Sequence, residues 1–170
     1  MANAVFSHSE FCYVPSAGHV HSGFLYIYQQ MRDRIVNVVG ELPGSMKLLV
    51  TGHSLGGALA TLAAADLAWH YVGSQVNLYT FASPRVGDRD FVELFLSLIS
   101  SGSIESSFRI VNMLDQVTQL PPEEVEDAIT RKKVLYRHVE FAKPFSQDFG
   151  QVWDNHDLEN YRIAVEMMAG

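Results

Sequence analysis

The chain has 170 residues, 48% of them hydrophobic and 18% charged, and twelve basic against nineteen acidic side chains give a formal net charge of −7. That length and composition suit one globular domain, residues 1 to 170, with a full hydrophobic core, and exclude a disordered or fibrous chain. The acidic balance argues against nucleic acid as a partner, and no apolar run approaches the ~20 residues that span a bilayer.

Residues 1 to 19 read as an irregular segment, with "PSAG" as a turn before the first regular element. "MANAVFSHSEFCYV" lacks the basic start and apolar core of a signal peptide. The lone cysteine, Cys12, permits no internal disulfide and fits no zinc pattern, so an intracellular setting is favoured. From residue 24 to 39, Phe24, Tyr28, Met31, Ile35, Val38 and Val39 recur at helical spacing. "KLLVTG" then reads as a strand buried on both faces, and residues 54 to 72 as a helix. "QVNLYTFAS" is a second strand, "DRDFVELFLSLIS" a helix, "SSGSIESS" a loop and "FRIVNML" a third strand. "PPEEVEDAITRK" predicts a short helix, "KVLYRHVEFA" a fourth strand and "LENYRIAVEMMA" a closing helix. Strands alternating with helices define an α/β fold, with a reduced, mostly parallel sheet and helices on both faces. In such sheets reactive groups gather at the carboxyl ends of the strands.

The seam between the first strand and its helix carries "GHSLG": Gly52, His53, Ser54, Leu55 and Gly56. In a nucleophile elbow a strand turns sharply into a helix and lifts the serine hydroxyl above the sheet. Glycines two residues before and after the serine, Gly52 and Gly56, avoid collisions in that turn. The backbone N–H of Leu55, at the helix start, faces any oxyanion formed there.

A serine needs a base, and the base needs a carboxylate to fix its tautomer. On this type of sheet the chain order is Ser, then Asp or Glu, then His. His8, His19, His21 and His53 precede Ser54, and His70 lies inside the following helix. His138 sits mid-strand and reads as a structural histidine. His156, in the polar stretch "QVWDNHDLENY", is the candidate base. Asp115 ends the strand "FRIVNML" and is the candidate acid. Asp88 and Asp90 begin a helix, and Glu123, Glu124, Glu126 and Asp127 lie on a predicted solvated helix face.

Six blocks together resemble the class 3, fungal-type lipases of the α/β-hydrolase superfamily. They are "HVHSGFLYIY", "VTGHSLGGALATLAAADL", "YTFASPRVGDRDF", "RIVNMLDQVTQLPP", "YRHVEF" and "NHDLENY", in family order over about residues 19 to 165. The resemblance implies the nucleophile at Ser54, the acid at Asp115 and the base at His156. Leu55 would supply one oxyanion N–H, and acylglycerol-type or other lipid esters would be cleaved through an acyl-enzyme. It implies no cofactor and no metal.

The family's R-G-[ST] oxyanion segment and its preceding strands have no counterpart in this sequence. Three expectations follow. Ser7, Ser9 or a backbone N–H near His21 supplies the second oxyanion donor. Phe6, Phe11 and Tyr13 form an acyl pocket or crude cover. The edge of strand 47 to 51 is covered by residues 3 to 14, or pairs with a second copy as a homodimer. The alternative to a catalyst is a lipase-like interaction module with little turnover.

Overall fold

The computed structural model describes residues 6–71, 73, 75–127, 131–139 and 142–169. In chain order its elements are β1 (His8–Glu10), β2 (His19–His21), α1 (Ser22–Gly40), β3 (Lys47–His53), α2 (Leu55–His70), β4 (Gln75–Phe81), α3 (Arg89–Ser100) and β5 (Ile104–Asn112). A 3₁₀ turn at Gln116–Gln119 leads to β6 (Glu124–Glu126), β7 (Lys133–Leu135) and β8 (Ala142–Phe145). A second 3₁₀ turn at Asp154–His156 precedes α4 (Leu158–Ala169).

β3, β4, β5 and β8 form one parallel sheet in that spatial order. The period-2 pleat of β4 separates two faces. Val76, Leu78 and Thr80 are buried, while Asn77, Tyr79 and Phe81 are only partly covered. α2 packs on β3 and β4. It is nearly all buried because Ala58, Ala60, Ala63, Ala64, Ala65 and Ala68 let its backbone lie close to the sheet. On the opposite face Phe81 and the α4 residues Leu158, Arg162 and Val165 line a common cavity. Beyond it that face is open, with a 560 Å³ groove lined by Leu49, Tyr79 and Phe81, and Leu49 is 70% exposed.

α1 is fastened to α2 by a buried charge. Asp66, fully buried, accepts from Arg32 Nε at 2.6 Å and Nη2 at 3.0 Å, and from the Tyr28 hydroxyl at 2.7 Å. Buried carboxylates persist only with such partners.

The structure corrects the sequence reading in five places. β3 is not buried on both faces, since none of its residues is fully buried and Leu49 stands in the open groove. The segment read as irregular is not so throughout: residues 8–10 pair with 19–21 as an antiparallel hairpin around the predicted turn, and residues 1 to 5 of it lie outside the described ones. The second half of the serine-rich "loop", residues 104 to 107, is the start of β5, since Ile104 buries its side chain and serines are acceptable where a strand is half exposed. The predicted helix after Pro121 instead holds β6, where Glu124-Val125-Glu126 alternates with the period of a strand, and β6 pairs antiparallel with β7; residues 128 to 130 of that prediction lie outside the described ones. The fourth strand of the main sheet is β8, not residues 133 to 142, of which 140 and 141 are not described. At this sheet edge Pro144 is tolerated because the outer side needs no N–H donor.

Candidate active site

Ser54 sits where β3 turns into α2, at φ 55° and ψ −125°. A non-glycine residue pays about 1–3 kcal/mol for such a backbone, so the surroundings must hold it there. They do so from both sides. The Ser54 N–H donates to the Phe81 carbonyl at 2.9 Å, and the Ser54 carbonyl accepts from Gly57 N at 2.9 Å and Ala58 N at 3.3 Å. A Cβ on Gly52 would stand 2.1 Å from the Gly56 carbonyl oxygen, so only glycine fits there. The expected collision at Gly56 does not occur, because a Cβ there meets nothing within 4 Å. The second close approach belongs to Gly57, whose Cβ would lie 2.9 Å from the Ser83 Cβ.

His156 closes the 3₁₀ turn before α4, and its ring faces Ser54. The Ser54 hydroxyl and His156 Nε2 are 2.7 Å apart, and His156 Nδ1–H donates to Asp115 Oδ2 at 2.8 Å. Asp115, buried just beyond β5, caps the first 3₁₀ turn by accepting from the Val117 N–H at 2.9 Å through Oδ1. Its other oxygen also accepts the Tyr161 hydroxyl at 2.8 Å, and that hydroxyl in turn accepts the Asn112 N–H at 2.9 Å. Burial and the adjacent carboxylate push the Tyr161 hydroxyl well above the usual tyrosine range, so it stays a donor to Asp115.

The loop carrying His156 is tied to two strands. Asn112 Nδ2, at the end of β5, donates to the carbonyls of Gln147 at 2.9 Å and Asn155 at 3.4 Å. His53 Nε2, at the end of β3, donates to the His156 carbonyl at 2.8 Å. Tyr161, Asn112 and His53 escaped the sequence reading as site residues. Only the placement of His53 beside the elbow serine, and of Asn112 at the end of a strand, offered any signal.

The remaining sequence candidates lie elsewhere. Phe11 is fully buried and packs edge-on against Phe91 at 5.3 Å, and Tyr13 packs on Tyr28 under the Arg32 guanidinium. Neither is a cover: the β1–β2 hairpin folds both inward. Phe6 makes its ring contact with His21. Ser7 is buried, with its carbonyl accepting from Ser22 N and the Tyr136 hydroxyl, while Ser9 Oγ bonds Ser22 Oγ. The His21 N–H donates to Val86. The Ser9 hydroxyl and the His21 N–H are thus engaged away from Ser54, whereas the Leu55 N–H, in the first turn of α2, has no intrahelical acceptor. His138 is structural, donating Nε2–H to the Thr118 carbonyl at 3.0 Å. Burial and the nearby Arg109 and Arg85 guanidinium groups lower its pKa to about 3.

Apolar side chains next to the three residues remain in solvent. They are Leu55 beside Ser54, Met113 and Leu114 before Asp115, and Trp153 and Leu158 flanking His156, with Trp153 73% exposed. Among the described residues no group of three or more His, Cys, Asp or Glu could hold a metal ion, and no helix is long and apolar enough to cross a membrane.

A parallel sheet entered through a strand–serine–helix elbow, with that serine, a histidine and an aspartate hydrogen-bonded at the carboxyl ends of the strands, defines the α/β-hydrolase class of proteins. The comparisons narrow the class. The family described as Lipase (class 3) matches residues 1–125, and the chain belongs to that family. The lipase of Rhizomucor miehei is 42% identical over 118 residues, 65% of this chain and 31% of that protein. Phospholipase A1-IIgamma of Arabidopsis thaliana is 31% identical over 177 residues, 86% of this chain and 39% of that protein. Among solved structures, lipase II from Rhizopus niveus superimposes with a TM-score of 0.61 at 34% identity, covering 71% of this chain and 46% of that one. The chain thus spans well under half the length of these curated relatives.

Proposed function

We propose that this chain carries the catalytic groups of a serine hydrolase that cleaves carboxylic esters of lipids. The observation that carries the proposal is the pair of hydrogen bonds Ser54 Oγ to His156 Nε2 at 2.7 Å and His156 Nδ1 to Asp115 Oδ2 at 2.8 Å, on an elbow. Neutral His156 takes the Ser54 proton as Oγ attacks the ester carbonyl, and the Asp115 carboxylate holds the proton on Nδ1 so that Nε2 is free to accept. The oxyanion forms against the Leu55 N–H and the positive end of α2. His156 then returns the proton to the departing alcohol, leaving Ser54 acylated, and a water deprotonated by the same nitrogen releases the acid.

A lipid ester is favoured over a polar one by the exposed apolar side chains around the site and by the relatives, which include lipases and phospholipases A1. Emulsified diacylglycerol and phosphatidylcholine, each followed by fatty acid release, test the proposal: release from either, lost in Ser54→Ala, is the expected result. No release from either, or equal release by Ser54→Ala, contradicts it. The second reading is a lipase-like interaction module with weak turnover. It is favoured by the Ser9 hydroxyl and the His21 N–H being engaged elsewhere, because one missing oxyanion donor costs about 10²–10³ in rate.

We also propose a second copy of the chain as a partner. Among the described residues β3 ends the main sheet, and residues 8–10 pair with β2 rather than with it; residues 3 to 5 of the segment expected to cover this edge lie outside the described ones. An edge strand of this kind is a template for pairing.

A further inference from the structure

We propose that His53 is a positioning residue that holds the base: its ring N–H grips the backbone of His156 while the next residue, Ser54, meets the ring of His156. The proposal rests on the serine-hydrolase reading above.

His156 is carried by the least regular part of the site. β8 ends at Phe145 and the 3₁₀ turn begins at Asp154, with no helix or strand between. A general base on such a segment needs fixed points, because a displacement of about 1 Å can cost ~10²-fold in rate. Asn112 ties the loop to β5 through the Gln147 and Asn155 carbonyls, both before the base. His53 is the tie at the base itself, 2.8 Å from the His156 carbonyl oxygen. Its own position is rigid, since His53 pairs with Phe81 across β3 and β4 and its ring stands edge-on to Tyr161 at 5.9 Å. The rings of His53 and His156 lie 4.9 Å apart at 40°.

The consequence is geometric. Two consecutive residues of the elbow hold the base at two places, one at its main chain and one at its ring. Nucleophile and base are therefore referred to the same rigid strand end, and motion of the 146–155 loop does not separate them. The donation requires the proton of neutral His53 on Nε2, with Nδ1 bare. Burial lowers the pKa of His53, which keeps the ring in that neutral form beside His156.

The substitutions separate the donor from the ring. His53→Gln keeps an N–H donor at about the reach of Nε2, and His53→Phe keeps an aromatic ring without a donor. The readouts are the rate of labelling by a fluorophosphonate, and kcat and KM on a soluble p-nitrophenyl butyrate. We expect His53→Gln within about threefold of wild type, and His53→Phe slower by about 10- to 100-fold in labelling and kcat, with KM nearly unchanged. Labelling of His53→Phe at the wild-type rate, or His53→Gln as slow as His53→Phe, overturns the assignment. An NMR measurement on ¹⁵N-histidine protein needs no variant: the neutral His53 must carry its proton on Nε2, and a proton on Nδ1 contradicts the proposal. A wild-type chain that takes no label at all overturns the hydrolase reading and this assignment together, an outcome distinct from a labelled wild type with unaffected variants.

Discussion

The two glycines beside Ser54 are not equivalent. Gly52 is closed in by the carbonyl of Gly56, while Gly56 itself faces open space. Gly52→Ala should therefore lose the elbow, with at least a 100-fold drop in fluorophosphonate labelling and a lowered unfolding midpoint, whereas Gly56→Ala should stay within a fewfold of wild type. Tyr161→Phe removes one donor from the Asp115 carboxylate, and a hydrogen bond to a charged group is worth about 1.5–3 kcal/mol. Roughly tenfold lower kcat with the fold retained is the expected result, read from steady-state hydrolysis and thermal unfolding. His138 gives a pH prediction with a definite sign. Its pKa falls from 6.5 to about 3 on folding, so below pH 6.5 the unfolded chain binds more protons, and stability is lost as pH falls from 6.5 toward 3. His138→Gln keeps a donor for the Thr118 carbonyl but cannot titrate. Its unfolding midpoint should fall less steeply than that of wild type between pH 6.5 and 4; parallel slopes would refute this. Ser54, Asp115 and His156 were legible as candidates because elbow chemistry demands a residue order and the chain offers few alternatives. The ties on Asp115 and His156 were not, since a tyrosine in a helix and a histidine at a strand end carry no local mark of what they will touch.

At the scale of elements, period and length decided what could be read. α1, α2, α3 and α4 announce themselves by long apolar periodicity or alanine content, β3 by the apolar run Leu48 to Val50 and β4 by alternation. The three-residue strand β6 is too short for its alternation to outweigh the acidic helix start it resembles, while the residues of β7 were read as strand but not as part of a separate hairpin. β8 has a proline and a lysine in its four residues and is a strand only because β5 offers it an edge. The packing of α1 on α2 was also invisible, because Asp66 reads as a polar interruption of an alanine helix until Arg32 and Tyr28 are seen on it. Arg32→Ala strips that buried carboxylate of its cation and should destabilise the fold by about 3–5 kcal/mol, measured by urea unfolding, against a negligible change for the exposed Arg89→Ala.

For the whole molecule, among its described residues, the sheet is covered by α2 on one face and is largely open on the other, where Leu49, Tyr79 and Phe81 line a groove beside an edge of β3 that no described strand pairs. Sedimentation velocity at micromolar concentration is expected to show a dimer, and Leu49→Lys, which places a charge on that edge strand, to shift it toward monomer. A wild-type monomer would contradict the proposed self-pairing without touching the chemistry of Ser54. That chemistry is the central claim, and intact mass after fluorophosphonate treatment tests it most directly. The account predicts one phosphonyl adduct, mapped by peptide analysis to Ser54, absent in Ser54→Ala and slowed in His156→Ala. An unmodified wild-type chain, or a label on any other serine, would contradict it.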